Sequence, residues 1–280
     1  MYNRSVHQRV VHFLRAANGR AYPRIWGLSR EPSWVFFDVL VPLLNTTAFV
    51  FLYRAMHAPE SYVGFVVLGA TLSAYWLNCV WMMGTQLHWD KREGLLELYV
   101  LAPVSMMALL WGMAIGGFYQ ATLRAVAIVL VLSIAFGVHF DLMQWPMELA
   151  IFSITMLALY GLGMALSSVF LMWGREAWQL ALALHEPAFF LTGLNFPLSK
   201  LLSSLPGFFT FISAIIPISF GLDALRQLMF PGEIAGVLSP MQEVLVLCGL
   251  AVFFVVLAIF ALRRMEWLAR VQARLSLRWQ

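Results

Sequence analysis

The sequence is poor in charge. Only 11% of its 280 residues are Asp, Glu, Lys or Arg, while 61% are hydrophobic. A soluble domain carries roughly 25% charged residues, so a soluble globular body is excluded as the main architecture. Lysine is almost missing: Lys91 and Lys200 stand against sixteen arginines. Neither lysine closes a G-x-x-x-x-G-K-[ST] phosphate loop, so any ATP this protein uses has to be bound by another chain. The two cysteines, Cys79 and Cys248, each lie in an apolar run and give no disulfide framework. The six histidines, at 7, 12, 57, 88, 139 and 185, show no metal-ligand spacing. No serine or cysteine sits in a nucleophile motif. The expectation is a chain that is not an enzyme and holds no cofactor of its own. A cleavable signal peptide is not expected either, because the first apolar run starts only at Trp34 and is long enough to span a bilayer.

What the sequence does have is apolar runs of membrane length, with a mean hydropathy of +0.80. Runs near twenty residues point to helices rather than to a barrel of short alternating strands. The spacing predicts spans over 34–53, 62–83, 107–136, 147–172, 177–192 and 241–262. Asp38 falls near the entry of the first, and Pro42 is expected to kink it. Gly161 and Gly163 are expected points of close approach in the fourth. The fifth is short and carries Glu186 and Pro187. Residues 193–231 are punctuated by Gly193, Pro197, Pro206, Gly207, Pro217 and Gly221. Between Pro206 and Pro217 there is room for about 15 Å of helix, half a bilayer. Pieces that short read as re-entrant or interfacial helices whose freed backbone groups must be covered by protein or water.

The N-terminal 1–33 segment is arginine-rich. Val6, Val10, Phe13, Leu14 and Ala17 form one helical stripe, with Arg4, Gln8, His12 and Arg15 opposite. That pattern predicts an amphipathic helix lying on a membrane surface. With six spans both termini share a side. Taking that side as cytoplasmic puts fourteen basic residues inside, including the arginine tail of 263–280, against three outside, which obeys the positive-inside rule. A seventh span through Pro206–Gly221 would send the tail outside.

The stretch from Gln86 to Pro103 interrupts two apolar runs with Asp90, Lys91, Arg92, Glu93 and Glu97. Charges cannot sit at a bilayer centre cheaply, so this stretch belongs at the headgroups or in water. If it is one helix, Glu93 and Glu97 share a face. Two readings stand: a plain connector, or a docking element whose carboxylates face a partner. Two ionisable residues look intramembrane, Arg124 and Glu186. They either pair to lock two helices or line a polar path. Tyr75, Trp76, Asn78, Trp81 and Met82 give the second span an aromatic face with one amide, which is either core packing or a solute-facing surface.

Two motifs carry a resemblance. REGLLELYVLAPVS at 92–105 resembles the R-E-G-T-L-E-x-L-x-x-x-P-V-S segment of type-2 ATP-binding-cassette permeases, the drug and lipo-oligosaccharide branch, with Leu95 where threonine is common. TGLNFPLSKLLSSLPGFFTFISAIIPISFGLDALRQL at 192–228 is similar to that family's G-x-x-F-P … L-P … D-A-L-R region. The resemblance implies an all-α polytopic membrane protein of the prokaryotic inner membrane. It has six transmembrane helices, an N-terminal amphipathic interface helix and re-entrant helices between spans five and six. It implies a coupling helix at about 86–103, with Arg92, Glu93, Gly94, Leu95, Leu96 and Glu97 facing a nucleotide-binding ATPase subunit that holds ATP and Mg. It implies a second permease copy or paralogue, and a path between the second and fifth spans of opposing copies. Tyr75, Asn78, Trp81, Arg124 and Glu186 are the candidate lining. The solute is expected to be a drug or lipid; a lipid-linked glycan is the alternative, and a non-transporting scaffold a third reading. Membrane lipids are expected partners and nucleic acid is not. Single cysteines introduced at positions 92 and 270 of a cysteine-free variant are expected to resist a membrane-impermeant maleimide in intact cells, and labelling of either reverses the assigned sides.

Overall fold

The computed structural model describes residues 6–27, 30, 32–95, 98–99, 105–173, 177–233 and 236–272. Helix accounts for the regular structure among them, with no strand. In chain order the elements are α1 (Val6–Gly27), α2 (Pro32–Ala55), α3 (Ser61–Leu77), a π-helical segment (Asn78–Gly84) and α4 (Gln86–Arg92). They continue as α5 (Met106–Phe136), α6 (Trp145–Trp173), α7 (Ala177–Leu191), α8 (Leu198–Ser204), α9 (Gly207–Ile215), α10 (Pro217–Met229) and α11 (Pro240–Gln272).

Five of the described helical stretches are long and apolar enough to cross a membrane: Val35–Ala55, Ser61–Arg92, Met106–Phe136, Trp145–Leu171 and Pro240–Met265. The count is six if the bent pair α9 and α10 forms one broken span. The expected fifth span is the shorter apolar helix Ala181–Leu191. These lengths and compositions fit an integral membrane protein. Ser105 starts α5 as its N-cap, its Oγ accepting from Ala108 N at 3.2 Å. Gly137 ends it in the left-handed conformation, φ 68°. Pro42 does not end α2, which runs on to Ala55.

The stretch Ser61–Arg92 is the axis of the bundle, 89% of its apolar window being buried. Phe65, Val66, Leu72, Cys79, Met83 and Leu87 are all almost inaccessible. By contrast α2 buries 11% of its window and presents Phe36, Phe37, Val41 and Leu44 outward. α6 packs along α11, and Gly161 lets the backbone of Phe254 and Val255 approach. Gly163 does the same for Cys79 Sγ. Both expected close-approach glycines therefore serve as such.

α1 is a helix of 22 residues. It packs along α5 through Ala17 and Ala21, which sit against Gly112 and Gly116. Any Cβ at Gly112 would overlap Ala17 O. Val10 and Leu14, from the expected apolar stripe, are 50% and 59% exposed and take no part in that contact. Small residues, not the large apolar ones, make the contact, because they let two backbones come close.

The proline-broken region folds into α8, α9 and α10, with an 89° bend between the last two. Its irregular turn at 193–197 is held by one side chain. Arg226, 2% exposed, donates to the carbonyls of Gly193 (2.6 Å), Phe196 (3.0 Å), Leu194 (2.9 Å) and, across on α3, Phe65 (2.8 Å). Tyr53 OH donates to Asn195 O at 2.7 Å. Gly69 leaves room for Leu194 O, which a Cβ there would overlap. On the other side of α10, Asp223 accepts from Val237 N at 2.8 Å and Glu243 from Leu238 N at 3.4 Å. The two residues are buried and tie α10 to the start of α11. Replacing Arg226 by Met is expected to strand these carbonyls and cost on the order of 3 kcal/mol. A melting comparison in detergent checks it; an unchanged midpoint contradicts the assignment.

Candidate functional site

The π segment lies inside the buried axis, where α3 gives way to α4. Single-turn π segments inside α-helices recur at functional sites. Around it the basic helix α1 closes on the axis. Arg20 Nη2 donates to both oxygens of Asp90, at 2.9 and 2.7 Å. Arg24 Nη2 donates to Met82 O at 3.0 Å and to Gln86 Oε1 at 2.7 Å. Gln86 Nε2 in turn donates to Asp90 Oδ1 at 2.8 Å. From α5, Gln120 Nε2 donates to Arg24 O at 3.0 Å. Asp90 is 1% exposed, so its charge has left water and is compensated by this bidentate contact. Burial, and then Arg20 beside it, push the Arg24 guanidinium down to about 10, and Asp90 opposes the shift. Arg24 therefore stays cationic at neutral pH.

Beyond Asp90 the chain reaches the expected docking residues. Arg92 ends α4 and stacks its guanidinium over Trp89, 5.3 Å from the ring centroid. Arg92 and Glu93 are exposed; Gly94 and Leu95 are half-buried. Glu93 N donates to Trp89 O at 3.0 Å and Gly94 N to Lys91 O at 3.2 Å. Gly94 has φ 75°, the left-handed turn that ends a helix. One continuous helix over 86–103 is thus corrected: glycine breaks it at 94, and helical backbone resumes at Leu95. Leu96 and Glu97 lie outside the described residues.

The five path-lining candidates do not converge on one site. Tyr75 is buried and its OH donates to Thr122 Oγ1 at 3.2 Å. Asn78 is 1% exposed, accepts from Tyr160 OH at 3.3 Å and fills the space that Gly117 leaves. Trp81 meets the His185 ring edge-on at 5.8 Å. Trp76 Nε1 donates to His185 Nδ1 at 3.2 Å, and Phe189 flanks the same imidazole at 5.3 Å. Tyr75, Trp76 and Asn78 are therefore core, while Trp81 joins an aromatic cluster that seats α7 on the axis.

Arg124 does not pair with Glu186. Its ion-pair partner is Asp38, on α2. Glu186 is exposed on the outer face of α7, with Gln179 and Phe190 on the same side. The adjacent His185 turns inward, as expected of neighbours on a helix.

Sequence reading missed the Arg20–Asp90 pair, the Arg24 contacts and the role of Arg226. No local signal was available for the first of these, since 70 residues separate Arg20 from Asp90. No group of three or more His, Cys, Asp or Glu among the described residues is arranged to hold a metal.

No family model matches the chain, and the search of curated proteins finds no relative.

A double-mutant cycle of Arg20→Ala and Asp90→Ala is expected to give a coupling of about 1–3 kcal/mol in thermal or denaturant unfolding. Additive effects would show that the two side chains do not support each other.

Proposed function

We propose that the chain is the transmembrane permease subunit of an ATP-driven exporter of the type-2 ATP-binding-cassette class. In this reading it carries a hydrophobic or amphiphilic solute and works with a separate ATPase subunit and a second permease copy. One observation carries the proposal. The turn at Arg92–Leu95, with Arg92 and Glu93 exposed, is the tip of a helical axis most of whose remainder is buried in the bundle. A partner that grips the tip has a lever on the whole subunit.

The clamp from α1 supports the same reading. Arg20 and Arg24 bind the axis one to two turns before the tip, so tip and arm are expected to move as one piece. That is what a rigid-body coupling scheme needs. ATP binding in the partner then shifts the permease only if the partner's contacts differ between its two states.

Glu186 supports a second copy. A carboxylate exposed on an apolar helix is costly against lipid. Water in a path, or a facing subunit, removes that cost. The motif residues also gain a physical role under this reading. Gly193–Phe196 and Arg226, which carry the second half of the resemblance, are bound to each other, giving the far end of the path a rigid cap. Cytoplasmic termini and an inner-membrane location complete the proposal.

The test is ATPase activity of the reconstituted complex with its nucleotide-binding partner. Glu93→Arg combined with Glu97→Arg is expected to lower solute-stimulated hydrolysis at least about tenfold, because charge reversal at a docking surface sets like charges against each other. The permease's own melting should barely change, since Glu93 is exposed. Stimulation at the wild-type level rejects the docking role.

A further inference from the structure

A polar crevice lies between α1, α2 and α5, away from the docking turn. Its volume is about 260 Å³, and it is lined by Arg24, Asp38, Gln120 and Arg124 together with Val39 and Leu123. It shares Asp38 and Arg124 with a neighbouring chamber of about 410 Å³ lined by Phe37, Val41 and Leu77. The chamber's volume falls within the roughly 300–1,000 Å³ range of small-ligand sites, and the crevice's falls just below it.

Its charge balance is unequal. Among the described residues, two guanidinium groups face one carboxylate. The Asp38 carboxylate pairs with Arg124. Arg24 is bound only to neutral oxygens, Met82 O and Gln86 Oε1. Arg24 Nη1 and Arg124 Nε are buried and have no hydrogen-bond partner. Buried charged donors without an acceptor are costly, and both belong to side chains that line the crevice.

The position is as telling as the charge. α5 has 31 residues, about 46 Å at helical rise, against a hydrocarbon core of about 30 Å. Arg124 pairs with a residue six positions into α2, close to that helix's start. Arg124 lies eighteen residues along α5, about 27 Å from its start, so the pair joins the entrance of α2 to the middle of α5.

We infer that this crevice binds an anionic amphiphile: a phosphate or carboxylate head on Arg24 and Arg124, with an apolar tail along Val39, Val41 and Phe37. The bound head competes with Asp38 for Arg124. The inference is independent of the export reading. A lipid of the surrounding leaflet and a free acidic amphiphile present the same chemistry.

Asp38 makes the test two-sided. Asp38→Asn and Arg124→Gln each break the same ion pair, so a purely structural role predicts the same direction of change for both. A binding role predicts opposite directions. Purified protein in neutral detergent is titrated with fluorescent phosphatidylglycerol and, separately, fluorescent phosphatidylcholine. The wild type is expected to prefer phosphatidylglycerol by about tenfold, the scale of one charge-assisted contact. Arg124→Gln should erase the preference, and Asp38→Asn should tighten phosphatidylglycerol several-fold (about threefold or more). Competition by dodecyl phosphate assigns any anionic amphiphile; competition by unlabelled phosphatidylglycerol alone assigns a phospholipid. Equal binding of the two lipids by the wild type, parallel changes in the two variants, or competition by inorganic phosphate as strong as by dodecyl phosphate overturns the inference.

Discussion

The structure depends on one buried guanidinium. An apolar bundle can hold helices easily, because a helix satisfies its own backbone. It cannot hold an irregular turn unless something else takes the freed carbonyls. Residues 193–197 form such a turn, and Arg226 takes three of its carbonyls while Tyr53 takes a fourth. Arginine suits the task because it presents five donors in a fixed fork. Lysine would offer a single point charge, which cannot reach carbonyls on two sides of a planar group. The fourth contact, to Phe65 O on α3, anchors the turn to the axis. That anchor adds a polar tie between the axis and the turn that joins α7 to α8.

The opposite end of the axis is held by different physics. There α1 approaches α5 through small residues, and the long side chains come into play only where the backbones are already close. Ala17 and Ala21 meet Gly112 and Gly116, and this brings Arg20 and Arg24 within reach of the axis. The two arginines then divide the work. Arg20 neutralises Asp90, while Arg24 takes a carbonyl of the π segment. A π turn is wider than an α turn and its hydrogen bonds are rarer in folded chains. An external donor on Met82 O steadies it.

Much of this was legible in the sequence, and the boundary between legible and hidden is physical. Apolar run length foretold the long helices: 107–136 is observed as Met106–Phe136, and 147–172 as Trp145–Trp173. Pro206 and Pro217 foretold α9 and α10, because proline limits where a helix begins and ends. Pairings were not legible. Arg124 had two carboxylates to choose from on periodicity alone, and tertiary packing chose Asp38, 86 residues back. The contact of α1 with α5 was hidden for a related reason. Hydrophobic periodicity weighs large side chains most, while close helix contacts are made by alanine and glycine. The break at Gly94 was hidden too; its left-handed backbone cannot be inferred from neighbours that favour helix on both sides.

The two locks sit on one rod. The Ser61–Arg92 stretch has 32 residues, about 48 Å at α-helical rise. Arg226 holds it near one end through Phe65 O, and Arg20 and Arg24 hold it near the other through Asp90, Gln86 and Met82. A force applied at Arg92 therefore has three outcomes. It can break the arm's contacts, which would expose the Asp90 carboxylate without its partner. It can break the Arg226 contacts, which would strand several carbonyls at once. Or it can tilt the whole subunit with both locks intact, absorbing any remaining strain at the π segment. The first two cost several kcal/mol each, since each leaves buried polar groups unpaired. The third costs only the sliding of apolar faces against their surroundings. The arrangement of locks thus favours motion of the chain as a body, with the seven-residue π segment held inside it by Arg24.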